Sequence, residues 1–218
     1  MNFRTFLPCC AAFCLMLILS ACNSYYVIPD ASEKANPDAV DLDYNGAYIL
    51  RLADNCNGVE YRDFIIRRDP KAPAPFKIYV HLNSSTFADW RVEPRQFGGQ
   101  SLVCRVRRIT LPPQSLPKKL DQQALGAFCA ARYVGDPSVA SISTNPATFC
   151  GKKAVSYVVR IMPANGAPSL IHGIVVFDDV DLGVILDVNY TQTENGEYSA
   201  KLREYGEQFL QSVELKNK

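Results

Sequence analysis

The chain has 218 residues and is almost neutral, with 23 Lys and Arg against 22 Asp and Glu, two histidines and eight cysteines. That length suits one domain with a proper core, and the balance of charge gives no sign of a nucleic-acid partner, which draws on a basic excess. No Gly-x-Ser-x-Gly elbow, His-Glu-x-x-His pair or glycine-rich phosphate loop occurs, so the commonest hydrolase, metalloprotease and nucleotide-binding signatures are excluded.

The chain opens with Arg4, an uncharged apolar run from Phe6 to Leu19, and the small residues Ser20 and Ala21, the anatomy of a secretory signal peptide. The run falls short of the roughly 20 apolar residues of a membrane-spanning helix. The tetrad Leu19, Ser20, Ala21, Cys22 resembles the bacterial lipobox. That resemblance implies cleavage before Cys22 and diacylglycerol on its thiol, and two or three acyl chains hold a protein firmly where one does not. Asn23 follows Cys22 where inner-membrane retention favours Asp, so resemblance to enterobacterial sorting implies the outer membrane and a periplasm-facing domain. Residues 1–21 are read as a lipoprotein signal peptide, 22–43 as a lipidated flexible tether rich in Asp, Ala, Ser, Asn and Pro, and 44–218 as a single globular periplasmic domain. Some 20 residues of coil average roughly 25 Å in reach.

Cleavage removes Arg4 and no acid, leaving 23 − 1 = 22 bases against 22 acids. The charge is uneven along the chain: residues 23–59 hold six acids and two bases, residues 60–110 ten bases and five acids. Arg62, Arg67, Arg68, Arg91, Arg95, Arg105, Arg107 and Arg108 are expected either on a solvated sheet surface paired with nearby acids or on a basic face for lipid phosphate or an acidic partner.

Strand patterns dominate the domain. "FKIYVHL" alternates with Phe76, Ile78, Val80 and Leu82 on one face, and "SLVCRVRRIT" places Leu102, Cys104 and Val106 opposite Arg105 and Arg107. "KLDQQALGAFCAARYV" shows a helical stripe of Leu120, Ala124, Phe128 and Ala131. Beyond Cys150, "AVSYVVRIM" puts Val155, Tyr157, Val159 and Ile161 inward, "LIHGIVVF" is apolar on both faces and belongs centrally, and "LGVILDVNY" puts Leu182, Val184, Leu186, Val188 and Tyr190 inward. "PANGAP" and "DDVD" are the hairpin turns between them. A second helix, "YSAKLREYGEQFLQSV", carries Tyr198, Leu202, Tyr205, Phe209 and Val213 on one stripe. The expected fold is α+β, an antiparallel sheet covered by helices in a three-layer sandwich.

Gly151, Lys152, Lys153 and Ala154 opening a strand, two further hairpin strands, the long helix and a closing "SVEL" resemble the PsbP-like fold over residues 100–215. An extrinsic photosystem II subunit, a Ran-binding import factor and some envelope lipoproteins share that fold. The resemblance implies a binding or assembly role without naming the partner, because fold does not fix function.

Of the eight cysteines, Cys9, Cys10 and Cys14 fall in the signal and Cys22 is the anchor. Cys56, Cys104, Cys129 and Cys150 remain, an even number in an oxidising compartment, and two disulfides are expected. Three pairings are open; Cys56 with Cys104 and Cys129 with Cys150 is the preferred one. No pair has zinc-ligand spacing, and no metal or cofactor is expected.

His81 falls on a wet strand face, and His172 reads as a core histidine rather than a base for a nucleophile. Asp178, Asp179 and Asp181 read as a solvated turn rather than a calcium loop, which requires a glycine and a terminal glutamate that are missing. The favoured reading is therefore not an enzyme but a membrane-anchored module that binds an envelope protein partner, an immunity or inhibitor protein being one narrower form. Its candidate contact residues are Tyr79, Trp90, Arg91, Arg95 and Phe97, since Trp, Tyr and Arg are enriched at interface hot spots. Trp90 and Phe97 fit core packing equally well. The alternative is an envelope hydrolase without a recognised motif, which would need a pocket lined by His172 and several carboxylates.

Overall fold

The structure, a computed structural model, describes residues 25–27, 40–42, 47–50, 56–61, 63–68, 75–81, 86–112 and 119–216. Cys22 and the signal segment lie outside these residues. The N-terminal strands are β1 (Tyr26–Val27), β2 (Val40–Leu42), β3 (Ala47–Leu50), β4 (Gly58–Glu60), β5 (Phe64–Arg67), β6 (Phe76–His81), β7 (Thr86–Val92) and β8 (Leu102–Thr110). After helix α1 (Gln122–Ala131) come β9 (Val139–Phe149), β10 (Lys152–Ile161), β11 (Ser169–Asp179) and β12 (Val184–Thr193), then helix α2 (Ser199–Ser212) and β13 (Val213–Leu215). The fold is α+β, mostly antiparallel sheet with two helices. Among the described residues no helix is long and apolar enough to cross a membrane.

A nine-stranded sheet runs β2-β3-β6-β7-β8-β12-β11-β10-β9, every neighbour antiparallel. A four-stranded sheet runs β1-β4-β5-β13, with β1 parallel to β4. Hydrophobic burial divides between the two faces of the large sheet. On one, Trp90, Cys104, Val106, Leu186, Val188 and Tyr190 pack with Leu202 and Phe209 of α2 and with Val59, Phe64, Ile66 and Val213 of the small sheet. On the other, Val155, Tyr157, Val159, Val175, Phe177 and Ile185 pack beneath Leu125 and Cys129 of α1. Full burial of one large apolar side chain contributes about 1.5–3 kcal/mol, so both faces add materially to stability.

Local chemistry explains where the elements begin and bend. Asp121 caps α1, its carboxylate accepting the Ala124 N–H at 3.0 Å, and that bond with Lys119 beside it holds the carboxyl below its ordinary range. Gly206 lets α2 lie on the Tyr190 ring, because a Cβ there would come within 2.5 Å of its Cγ. Arg108 faces the buried Asp63 at 3.3 Å, tying β8 to the chain entering β5.

Several expectations need correction. The α1 stripe centres on Leu125 and Cys129, with Leu120, Ala124 and Phe128 flanking and Ala131 exposed. Leu182 is 62% exposed, because the register shifts between Phe177 and Asp179 and the turn lasts until β12 starts at Val184. Strand β9 has no counterpart among the expected strands. It is an edge strand whose mostly exposed residues include Pro146, which only an edge tolerates. Two pieces of the segment read as tether are strand-paired: Tyr26–Val27 on β4 and Val40–Leu42 on β3.

The structure contains no disulfide among the described residues, and Cys56, Cys104, Cys129 and Cys150 are free thiols. Cys104 sits between its cross-strand neighbours Trp90 and Tyr190 in the α2-side core, while the Cys56 thiol donates to the Gly58 carbonyl at 3.1 Å. Cys129 is on α1, in the core on the opposite face of the sheet, whereas the Cys150 thiol contacts the Val213 carbonyl at 3.6 Å. A sheet with side chains packed on both faces separates Cys129 from Cys150, and a disulfide requires Cα atoms within about 7 Å.

Candidate functional site

Helix α1 covers β9, β10 and β11 on its side of the sheet, and among the described residues no helix packs on that face of β6 and β7. Alternation along these strands sends Phe76, Ile78, Trp90, Val92, Cys104 and Val106 into the α2-side core. Lys77, Tyr79, Asp89, Arg91, Arg105 and Arg107 are therefore on the opposite, α1 side.

Register then assembles a continuous polar row. Tyr79 lies opposite Asp89, Asp89 opposite Arg105, and Arg105 opposite Asn189. One step along, Arg107 lies opposite Asp187. The buried Asp89 carboxylate accepts Arg105 Nε at 3.0 Å and Arg91 Nη2 at 2.5 Å. The Arg91 guanidinium also stands 4.7 Å above the Tyr79 ring, a cation–π contact. One carboxylate and one ring thus hold two arginines upright on the sheet.

Asp187 is 0% exposed and anchors the other half of the site. It accepts the Tyr157 hydroxyl at 2.7 Å and Arg132 Nη1, from the C-terminal cap of α1, at 2.7 Å. Tyr157 reaches it by lying across Gly173, where a Cβ would come within 2.4 Å of the ring. Burial pulls the Arg132 pKa down, but the charge and hydrogen bond of Asp187 outweigh it and the net shift is upward. Burial, reinforced by the Asp187 charge, raises the Tyr157 phenol and pushes the Cys129 thiol up to about 12, so neither ionises near neutrality.

Around this row Arg91, Arg105, Arg107 and Arg132 face two buried carboxylates, Asp89 and Asp187. The local charge is 4 − 2 = +2. Arg107 Nε is shielded from solvent with no hydrogen-bond acceptor among the described residues. Chemically, the row is a fixed cationic surface suited to carboxylate or phosphate groups, because arginine forks pair with both. No group of three or more His, Cys, Asp or Glu is placed to hold a metal ion among the described residues.

The structure divides the five expected contact residues. Tyr79 and Arg91 stand together, both partly exposed, on the α1-side face of the sheet. Trp90 is 4% exposed and packs on Phe209, ring centroids 5.3 Å apart; Phe97 is 5% exposed and meets Tyr198 edge-on at 5.7 Å. Both are core residues and present no surface to a partner. Arg95 is exposed on the short 3-10 helix Pro94–Phe97, which Phe97 pins to α2, away from the arginine row. Arg132, Tyr157, Asp187 and Asn189 were not anticipated. The only sequence signal was a carboxylate and an amide inside the apolar run "VILDVNY".

His172 lies on the other face of the sheet, stacked on Tyr190 with centroids 4.9 Å apart and planes 11° from parallel. Burial and the Arg203 charge lower its pKa, opposed by Glu207. Its Nε2 is buried without a hydrogen-bond partner among the described residues, the Tyr190 hydroxyl is turned toward Arg203, and Glu207 is the acid that bears on both rings. The side chain of His81 lies outside the described residues. Of the turn aspartates, the Asp179 carboxylate accepts the Leu182 N–H at 3.0 Å, and the Asp178 backbone carbonyl accepts Lys152 Nζ at 3.4 Å.

No protein-family model matches the chain, and no curated protein matches it. Among solved structures it is similar to LpqN, described as involved in cell envelope biogenesis of Mycobacterium tuberculosis. The two share 12% identity at a TM-score of 0.47, over 71% of this chain and 83% of that one.

Proposed function

We propose that this protein is a lipoprotein of the cell envelope, anchored through Cys22 and facing the periplasm, that acts as a binding or assembly module rather than an enzyme. The observation that carries the reading is the arginine row: Arg91, Arg105, Arg107 and Arg132 around two buried carboxylates. A charged surface held rigid by buried partners pays little to organise on binding, and its excess of cations selects an acidic envelope protein. An inhibitor or immunity protein would use the same face. Asn23 favours the outer membrane. Cover by α1 on one face and by α2 with the small sheet on the other supports the PsbP-like, three-layer reading.

The test is in vivo crosslinking of the lipidated protein, followed by mass spectrometry of what purifies with it. One abundant partner, lost on Arg91→Glu or Arg107→Glu and retained on Arg95→Glu, is the expected result. A partner indifferent to the first two changes would move the interface elsewhere. A second reading, an envelope hydrolase, draws on the buried His172 Nε2, which has no hydrogen-bond partner among the described residues. Turnover of an ester or amide library, abolished by His172→Gln, would favour it.

A further inference from the structure

We propose that the domain rests directly on the phospholipid headgroups, seated by the end that carries Tyr25, Arg67, Arg68 and the Cys150–Gly151 turn. This rests on the reading of Cys22 as the lipidated residue, and it replaces the stand-off that a 20-residue tether would give.

Covalent reach is the first argument. Tyr26 and Val27 pair in parallel with Val59 and Glu60, so the chain is held to the fold at these two residues. Tyr25, half-buried, lies within electrostatic range of the Arg67 guanidinium. Cys22 precedes Tyr25 by three residues, and three extended residues span at most about 11 Å. A thioether to diacylglycerol puts Cys22 near the glycerol level, at the base of a headgroup layer about 5–8 Å thick on each side of the bilayer. Tyr25 therefore stands no more than a few ångströms above the headgroups. A domain held that close at one corner must touch them.

Topology says which corner. Parallel pairing of β1 with β4, and antiparallel pairing of β4 and β13 with β5, place the starts of β1, β4 and β13 beside the end of β5. Arg67 ends β5 with its side chain 58% exposed, paired to Glu214, and the next residue, Arg68, bonds through its N–H to the Asn57 carbonyl. The Cys150 thiol on the Val213 carbonyl brings the β9–β10 turn to the same end. Lys152 and Lys153, both exposed, follow that turn. Arg67, Arg68, Lys152 and Lys153 then face the bilayer around Glu214, while Asp178, beyond Lys152, is buried. Basic side chains at this depth meet lipid phosphates, and a tyrosine at the exit point suits the interface. The small sheet and the arginine row lie on opposite faces of the large sheet, so this seating leaves the row open to the periplasm.

The full-length lipidated protein, purified from membranes, would be reconstituted into phosphatidylethanolamine and phosphatidylglycerol vesicles containing a headgroup-nitroxide lipid. In a Cys56→Ser background a thiol-reactive fluorophore goes to the exposed Cys150, since Cys104 and Cys129 are buried. The reference fluorophore is placed through Ala164→Cys with Cys150→Ser, in the hairpin turn at the other end of β10. Quenching several-fold stronger at position 150 than at 164 is expected. A 20-residue Gly/Ser spacer inserted between Ser24 and Tyr25 should abolish the difference while the protein stays in the vesicles. Weak, equal quenching at both positions in membrane-bound protein without the spacer overturns the seating and leaves the anchor intact. Mass spectrometry showing Cys22 without diacylglycerol removes the anchor, and the seating with it.

Discussion

Replacing Arg132 with Met strips Asp187, the most deeply buried charge among the described residues, of its ion-pair partner. Methionine keeps much of the apolar stem that packs on Phe128 and Tyr133, each ring centroid 5.5 Å from the guanidinium, and removes only the charged fork. Asp187, itself 0% exposed, would then keep the Tyr157 hydroxyl at 2.7 Å and Arg107 opposite it. Removing one partner of a buried ion pair costs about 3–5 kcal/mol, because the remaining charge loses its compensation. With Arg107 as a partial substitute, the lower end, about 3 kcal/mol, is expected at pH 7. For a domain of this size that lowers Tm by about 6–12 °C.

Urea unfolding of Arg132→Met at pH 7, beside Arg132→Met with Asp187→Asn, measures the effect. The double variant, which lacks both members of the pair, should recover at least half of the loss. A deficit below about 1 kcal/mol would refute the account of Asp187 as a charge held by Arg132.

Gly173→Ala should destabilise by about 1–3 kcal/mol, since its Cβ would meet the Tyr157 ring at 2.4 Å and force the hydroxyl off Asp187; an unchanged urea midpoint would contradict the packing described. His172, with its folded pKa lowered chiefly by burial, contributes stability that is full above about pH 6.5 and is lost as pH falls through the folded value. His172→Phe should therefore flatten the stability profile between pH 6.5 and 5, and an unaltered slope would show that the imidazole titrates as it does in water. Thiol alkylation of the native protein should modify Cys150 first and leave Cys104 and Cys129 until unfolding, because burial shields both and raises their pKa. A peptide map under non-reducing conditions that links any two of the four would count against the free-thiol structure.

What the sequence determines by itself is set by local periodicity and covalent order. Alternation in "FKIYVHL", "SLVCRVRRIT" and "AVSYVVRIM" marks strands because side chains along a strand point to opposite faces, and the spacing of Leu202, Phe209 and Val213 marks the apolar stripe of α2. The four residues ending at Cys22 carry the resemblance to an anchor, a matter of adjacency that needs no fold. Which of two buried faces a residue joins is a long-range matter. Trp90 and Arg91 are neighbours in sequence, yet one packs on Phe209 and the other stands over Tyr79 on the opposite side. Asp187 gains its partners from Tyr157, 30 residues earlier, and Arg132, 55 residues earlier, so its role could not be read from its own strand. An even count of cysteines likewise says nothing of which face each thiol occupies, and the sheet puts Cys104 in one core and Cys129 in the other. Strand β9 and the docked Tyr26–Val27 lack the apolar alternation that marks a half-buried strand. They become strands because neighbouring edges supply the hydrogen bonds, a condition that exists only once the sheet has formed.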